Sequence, residues 1–267
     1  MNLSAMTRFA LLARSPDEAL DLEAVAVGVA RAVDPTADER AVAATLDAMA
    51  AEVEDQVHPS TPPDRLAASI ARAFGGTLRL RGAPEVFVEP SASALPWVLE
   101  RRSGLPILLG VVWILLGRRL GVPIAGVSYP GRFLVCLDAP GARIYLDPFS
   151  GGDVLEAADL VARLRDTNAD TGRALSPCDT RAIGVRMLTN LHHLWLDRGD
   201  VEAALGALDR MLLLGGETPE RLRDRGLLAA HLRRGPEAAR DLRRYLALAP
   251  NARDRAVVEQ VLATVVP

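Results

Sequence analysis

An apolar segment in the middle of the chain constrains the fold more than any other feature. Residues 104–117 are apolar or small without interruption, and the segment ends at Arg118-Arg119. It is shorter than the roughly 18 residues that a membrane-spanning helix needs. We therefore expect a buried helix from Pro106 to Leu120 and no membrane partner.

The composition excludes several classes of function. All 31 basic residues are arginine, which excludes Schiff-base chemistry, pyridoxal-phosphate attachment and the lysine of a P-loop. The sequence also contains no Gly-x-Ser-x-Gly nucleophile motif. A net charge of −3 argues against a general nucleic-acid binder, which needs a concentrated basic surface. We expect no nucleic-acid partner and no cofactor.

The cysteine content and the N-terminal sequence indicate a compartment. Two cysteines in 267 residues cannot form a disulfide framework, so a reducing compartment fits best. The first residues, Met1 to Arg14, lack the apolar stretch and small-residue cleavage site of a signal peptide. We expect a cytoplasmic protein.

Helix and strand signals divide the chain into four parts. Residues 1–75 predict an N-terminal helical layer, with helices starting near Ser15, at Thr36 or Asp38, and near Pro62. Residues 76–165 predict a mixed core: a short helix from residue 95, the apolar helix, strands near 124–128, 133–137 and 143–146, and a helix from residue 156. Residues 166–179 predict a linker, and residues 180–267 a helical domain.

The helical domain repeats with a period of 34 residues, which is typical of tetratricopeptide helix pairs. The positions that coincide are Leu188 with Leu222, Leu194 with Leu228, Ala204 with Ala238, Leu208 with Leu242, Leu212 with Leu246 and Leu214 with Leu248. An ordinary helical bundle with coincident leucines is the alternative.

An ordered set of short motifs carries a resemblance to a known family. The motifs are Leu99-Glu100-Arg101-Arg102-Ser103-Gly104-Leu105-Pro106-Ile107, Leu120-Gly121-Val122-Pro123, Tyr129-Pro130-Gly131-Arg132-Phe133-Leu134-Val135 and Asp147-Pro148-Phe149-Ser150-Gly151-Gly152. In order and spacing they resemble the bacterial SirB-type proteins, whose transglutaminase-like core precedes tetratricopeptide helices. The resemblance implies an α/β (α+β) fold with a transglutaminase-like, papain-like core between N-terminal helices and a tetratricopeptide-type domain.

The resemblance also implies where catalytic residues would stand. Active members of the wider superfamily carry a cysteine at the start of the buried helix, a histidine on the next strand and an aspartate on the strand after it, as a thiol–imidazole–carboxylate set. Here the helix starts with Pro106-Ile107-Leu108-Leu109, and Arg132 stands at the histidine position. Only the aspartate is kept, as Asp147. We therefore expect no catalytic residue.

Hairpin geometry predicts a contact between the two remaining positions. If residues 138–141 form a four-residue loop, Leu137 pairs with Ala142 and Arg132 lies opposite Asp147. The pair is either a structural ion pair or part of a remodelled pocket that binds an anion or a partner's acidic group. Pro106, Cys136 and Tyr145 are the other candidate pocket residues.

Three further features have a structural and a functional interpretation. In the same register Cys136 lies opposite Arg143, which could activate its thiol, although a strand cysteine is usually a small buried residue. The adjacent pair His192-His193 has the wrong spacing for a helical metal site, so we expect no metal. An arginine-rich face of the repeat is either a solvated, salt-bridged surface or a groove for an acidic peptide. Its candidate partner residues are Arg223, Arg225, Arg240 and Arg244.

The function that these observations favour is a non-catalytic binding or regulatory protein, with a degenerate transglutaminase-like core and a helical-repeat surface for a protein or peptide partner. The alternative from another class is a thiol hydrolase or acyl transferase with relocated catalytic residues, using Cys136. A purely structural subunit of a larger assembly is a third possibility.

Overall fold

The structure is a computed structural model that describes residues 4–139, 141–165 and 169–265. The helices are α1 (Ala5–Ala13), α2 (Leu22–Ala30), α3 (Glu39–Val53), α4 (Pro63–Ile70), α5 (Leu95–Arg101), α6 (Pro106–Arg119), α7 (Ala157–Leu164), α8 (Thr171–Ala174), α9 (Thr180–Asp197), α10 (Val201–Gly215), α11 (Pro219–His231), α12 (Gly235–Leu248) and α13 (Arg255–Val265). The strands are β1 (Ile124–Val127), β2 (Leu134–Ala139), β3 (Ala142–Asp147), β4 (Asp153–Leu155) and β5 (Pro177–Cys178).

The chain forms two compact units. One comprises residues 16–187, and the other comprises the chain up to residue 15 together with the chain from residue 188. Helix α1 contacts α10 within the second unit. By its contacts, the first helix therefore groups with the C-terminal helices and not with the other helices that precede residue 75.

The N-terminal helices differ from the prediction at their boundaries. Ser15 does not begin a helix: Asp17–Ala19 is a single 3-10 turn, and α2 begins after Asp21, whose side chain accepts the Ala24 N–H at 2.8 Å. Of the two predicted starts of the next helix, Thr36 and Asp38, the second is observed, because the Asp38 carboxylate caps α3 in the same way. After α4 the chain continues as a π-helix over Ala71–Thr77.

Helix α6 forms the centre of the larger unit, as its apolar sequence predicts. Its residues from Ile107 to Gly117 are all buried. It contacts α3 and α5 as well as β1 and β2. Burial on all sides explains why this helix has no polar face.

The sheet has the order β4-β3-β2-β1-β5, and all its neighbouring strands are antiparallel. One face packs on α6: a Cβ built on Gly126 would lie 3.3 Å from Ile114. Since side chains alternate along a strand, Ala125 and Cys136 point to the opposite face. That face packs against α7 through Leu160 and Leu164.

Two short strands complete the sheet and were not predicted. β4 extends it beyond β3, and β5 pairs with β1 through Gly126 and Cys178. β5 and the short helix α8 lie in the stretch that the sequence predicts as a linker; residues 166–168 of that stretch lie outside the described residues. Strands of two or three residues carry too little period-two signal to be recognised from sequence.

The helices α9 to α13 follow one another from residue 180, in the stretch that the sequence predicts to be helical. Ala204 and Ala238, which the 34-residue offset relates, are both fully buried, whereas Leu214 is 1% exposed and its counterpart Leu248 is 42% exposed. A Cβ on Gly226 would lie 2.6 Å from the Leu242 side chain, so the glycine lets α11 and α12 approach closely. Within the described residues, no helix has the length and apolarity needed to cross a membrane.

Candidate functional site

The start of α6 offers apolar side chains where the resemblance implies a nucleophile. Ile107, Leu108 and Leu109 are each at most 1% exposed. One turn later, a Cβ on Gly110 would lie 2.6 Å from the Phe133 ring, so the helix packs directly against the residue that follows Arg132. The fold thus brings the helix start towards the segment that carries Arg132, and this helix start supplies no thiol or hydroxyl.

Arg132 and Asp147 form an ion pair. The guanidinium Nη1 lies 3.4 Å from Oδ2 of the carboxylate, which confirms the predicted contact. The Asp147 side chain is 9% exposed and the Arg132 side chain 49%. The pair therefore joins a buried anion to a half-solvated cation.

The register on which that prediction rested was wrong. β2 and β3 pair as far as Ala139 with Ala142, so two residues separate the strands instead of four. Pro140, in this connection, lies outside the described residues. Arg132 precedes β2, and its N–H donates to the Tyr129 carbonyl in a turn.

Asp147 also holds the turn that follows β3. Its Oδ1 accepts the Phe149 N–H at 2.9 Å, and its carbonyl accepts the Gly152 N–H at 2.8 Å. The turn rests on the π-helix, because a Cβ on Gly75 would lie 1.8 Å from the Gly151 carbonyl oxygen. One carboxylate oxygen is therefore engaged in the turn, and the other faces Arg132.

Cys136 lies in an environment that suppresses thiol reactivity. It is fully buried and pairs with Tyr145, not with Arg143 as predicted; Arg143 instead lies opposite Asp138 and forms an ion pair with it at 2.8 Å. Burial, with a further contribution from the Asp138 carboxylate, raises the pKa of the Cys136 thiol to about 12. The thiol is protonated at physiological pH, and a protonated thiol is a poor nucleophile.

The structure does not bring the candidate pocket residues together. Cys136 and Tyr145 are neighbours on the sheet face that α7 covers, and the Tyr145 hydroxyl donates to the Leu175 carbonyl at 3.0 Å. Pro106 belongs to α6, which packs on the opposite face.

The second cysteine is more accessible than the first. Cys178, on β5, contributes to the walls of two clefts of about 510 and 480 Å³. Its Sγ donates to the Gly126 carbonyl at 3.2 Å, and burial raises its pKa to about 11. This thiol too is protonated at physiological pH.

The four arginines predicted as a partner surface bind carboxylates of their own unit. The pairs are Arg223 with Asp224 and Asp254, Arg225 with Asp209 and Asp241, Arg240 with Asp241, and Arg244 with Glu217. Arg225 donates two hydrogen bonds to the buried Asp241 carboxylate, from Nε to Oδ2 at 2.5 Å and from Nη2 to Oδ1 at 2.9 Å. Arg240 and Arg244 stay more than half exposed, so they are the two members of the set that present most surface to a partner.

The histidine pair has a packing role. His192 is 5% exposed, and its Nδ1 lies 3.0 Å from the Ala204 carbonyl oxygen. Burial lowers the pKa of the imidazole. The described residues contain no group of three or more His, Cys, Asp or Glu side chains placed to hold a metal ion.

Sequence reasoning gave no role to an aromatic pair beside Asp147. The Phe87 and Phe149 rings lie 5.5 Å apart, and Phe87 is 52% exposed. The sequence feature that could have indicated this pair is the apolar stretch from Val86 to Val88, which lies between two prolines.

Comparison with known proteins places the chain in a family. A profile described as the transglutaminase-like superfamily matches residues 40–189, and a tetratricopeptide-repeat profile matches residues 191–263. A UPF0162 protein of Xylella fastidiosa (strain Temecula1) is 38% identical over 90% of this chain and 88% of its own length. The chain belongs to the UPF0162 (SirB-type) family of transglutaminase-like proteins. This confirms both the predicted core and the predicted tetratricopeptide repeat.

More distant members span a similar part of the chain. A UPF0162 protein of Vibrio cholerae is 28% identical over 88% of this chain and 88% of its own length. The UPF0162 protein YchA of Escherichia coli K12 is 23% identical over 77% of this chain and 78% of its own length. The likeness thus covers most of both chains in each comparison.

Proposed function

We propose that this protein is a non-catalytic binding or regulatory protein of the cytoplasm, in which a degenerate transglutaminase-like core and a tetratricopeptide surface engage a protein partner. The observation that carries the proposal is the Arg132–Asp147 ion pair, at 3.4 Å. It occupies the positions where the resemblance implies an imidazole and its orienting carboxylate.

The chemistry of the pair supports binding over catalysis. A guanidinium stays protonated at any ordinary pH, so Arg132 cannot accept a proton from a nucleophile. Asp147 is engaged by Arg132 and by the Phe149 N–H. The start of α6 supplies no nucleophile for a base to activate.

The alternative of a relocated thiol enzyme finds little support. Cys136 would have to ionise, but its pKa is raised to about 12 by burial. It is also 0% exposed, so a substrate cannot reach it without local unfolding. Its packing against Tyr145 is that of a core residue.

The repeat region supports a protein partner. Tetratricopeptide helix pairs stack so that they expose extended surfaces, and proteins of this kind commonly bind peptide segments there. In this chain Arg240 and Arg244 are 65% and 56% exposed on one such helix, α12. They are the candidate contacts for acidic groups of the partner.

An activity assay on the full chain tests the proposal. Purified protein should neither incorporate an amine into a glutamine-containing protein nor hydrolyse peptide or amide substrates above the rate of a Cys136→Ala, Cys178→Ala double variant. Arg132→His should not create activity, because the nucleophile is still absent. Turnover that disappears in the double-cysteine variant would overturn the proposal. Affinity purification with mass spectrometry then identifies the partner, and its binding should weaken in an Arg240→Gln, Arg244→Gln variant if it uses the repeat.

A further inference from the structure

An exposed aromatic surface adjoins the Arg132–Asp147 pair. Phe87 and Val88, in the short 3-10 segment Pro84–Val88, are 52% and 67% exposed. The Phe87 ring leans on that of Phe149, which is itself half-buried. Single exposed apolar side chains are common, whereas larger exposed apolar patches mark interaction sites.

The surface is held in place before any partner arrives. The Phe149 ring lies on Gly82, where a Cβ would come within 2.0 Å of it. The Gly82 N–H donates to the Phe149 carbonyl at 2.8 Å, and the Phe149 N–H donates to Asp147. A rigid surface loses little conformational entropy on binding, which favours affinity.

Two arginines lie beside the turn that carries Phe149. The Arg132 side chain is 49% exposed, and its Nη1 lies 3.4 Å from Asp147 Oδ2. The other N–H groups of its guanidinium are available to a partner. Arg81 is exposed and donates to the Gly75 carbonyl at 3.4 Å, and within the described ranges it has no carboxylate partner. Arg81 flanks the same turn, because a Cβ on Gly151 would lie 4.0 Å from its Cβ.

We propose that the surface formed by Phe87, Val88, Phe149, Arg81 and Arg132, here called the Phe87 surface, binds a partner segment in which an apolar side chain stands next to a carboxylate. The apolar side chain covers the exposed rings, and the carboxylate takes the available guanidinium donors, which suit it as bidentate partners. This inference rests on the proposed binding function and adds the chemistry of the partner.

Charge favours such a partner over a second copy of the chain. In a two-fold dimer the same surface patch faces itself, which would bring the arginines of one copy towards those of the other. Glu85 and Glu89, in and next to the 3-10 segment, offset part of that repulsion, since a hydrogen bond to the Ser91 N–H leaves the Glu89 carboxylate charged. An acidic segment meets no such repulsion.

Selection from a random-sequence peptide library displayed on phage tests the inference on the full chain. Enriched peptides should share an apolar residue beside Asp or Glu. Loss of one well-packed aromatic contact should weaken their binding to a Phe87→Ser variant about tenfold or more. Arg81→Gln should also weaken binding and reduce its salt dependence; because this residue has no carboxylate to leave unpaired, the variant should fold normally.

Two matched variants serve as controls. Val257→Ser removes an apolar side chain that is 60% exposed on α13, and Arg40→Gln removes an exposed arginine of α3. Both should bind the selected peptides as tightly as the unchanged protein. Circular dichroism of each variant shows that the fold is kept.

Several results would overturn the inference: no enrichment, a consensus without a carboxylate, unchanged binding by Phe87→Ser, or self-association that Phe87→Ser abolishes in place of peptide binding. Peptides that are lost only with Arg240→Gln and Arg244→Gln would also overturn it, yet would leave the proposed binding function intact. Thiol-dependent turnover would instead overturn the proposed function itself.

Discussion

Replacing Arg132 by Gln and Asp147 by Asn, singly and together, measures how strongly the two side chains are coupled. Two unit charges about 4 Å apart attract by about 1 kcal/mol in bulk water and by about 4 kcal/mol at an effective dielectric constant of 20. The carboxylate is 9% exposed but the guanidinium is 49% exposed, so this pair falls between those limits. Side-chain entropy lowers the net value, and we expect a coupling free energy of about 1.5 kcal/mol.

The single variants should differ in a defined way. Arg132→Gln leaves a buried carboxylate with one N–H donor, from Phe149, and should lower the free energy of unfolding by about 2 kcal/mol. Asp147→Asn keeps an oxygen for that N–H and should cost about 1 kcal/mol. Urea unfolding followed by circular dichroism gives both values and the double-mutant cycle.

The same hairpin supplies a matched control. Arg143 and Asp138 lie opposite each other at 2.8 Å, but both side chains are about 40% exposed. Their coupling should be below about 0.5 kcal/mol and should fall further in high salt. If the Arg132–Asp147 coupling free energy is no larger than that of Arg143–Asp138, then burial of the carboxylate does not strengthen the pair, contrary to this prediction.

Three other predictions concern the core, the thiol and the repeat. Gly75→Ala should lower the free energy of unfolding by more than about 3 kcal/mol, because its Cβ would lie 1.8 Å from the Gly151 carbonyl oxygen. Gly76→Ala is the control: its Cβ has open space around it, and the variant should change the free energy of unfolding by less than about 1 kcal/mol. Thermal unfolding of both variants measures the difference. Cys136, with a pKa raised to about 12 by burial, should react with iodoacetamide far more slowly in native than in urea-unfolded protein, and equal rates would contradict this. Burial lowers the pKa of the His192 imidazole, so this imidazole becomes protonated at a higher pH in the unfolded chain than in the folded chain. The neutral imidazole should contribute fully to the free energy of unfolding above about pH 6.5, and this contribution should decline as the pH falls below that value. His192→Gln should remove this part of the pH dependence, as measured by urea unfolding at several pH values.

The elements that sequence predicted best are those whose signal is local. Helix α6 is apolar along its whole length, and α3 has a capping aspartate, Asp38, at its start. Propensity and capping depend on neighbours in the chain, so they can be recognised without knowing the fold. The 34-residue repeat is of the same kind, since each helix pair packs on the next one in sequence.

The features that sequence missed depend on distant contacts. After α4 the helix changes to a π-helix over Ala71–Thr77, where the turn at Gly151 packs on Gly75. β5 exists only because its two residues meet β1. The Phe87 surface likewise forms because Phe149 arrives from far along the chain to meet Phe87.

The Arg132–Asp147 contact is present although the strand register from which it was predicted is wrong. The reason is that the observed register differs from the predicted one by two residues. The observed register places Asp147 opposite Leu134 when β3 is extended along β2, two residues from the predicted partner. Strand side chains alternate with a period of two, so a slip of two residues keeps every side chain on its predicted face, whereas a slip of one would reverse them all. The remaining offset is within reach of an arginine, whose long side chain spans it to meet Asp147 at 3.4 Å. A shorter residue at position 132 would have lost the contact, and we therefore expect Arg132→Ser to abolish the coupling that Arg132→Lys partly keeps, as measured by the same double-mutant cycle.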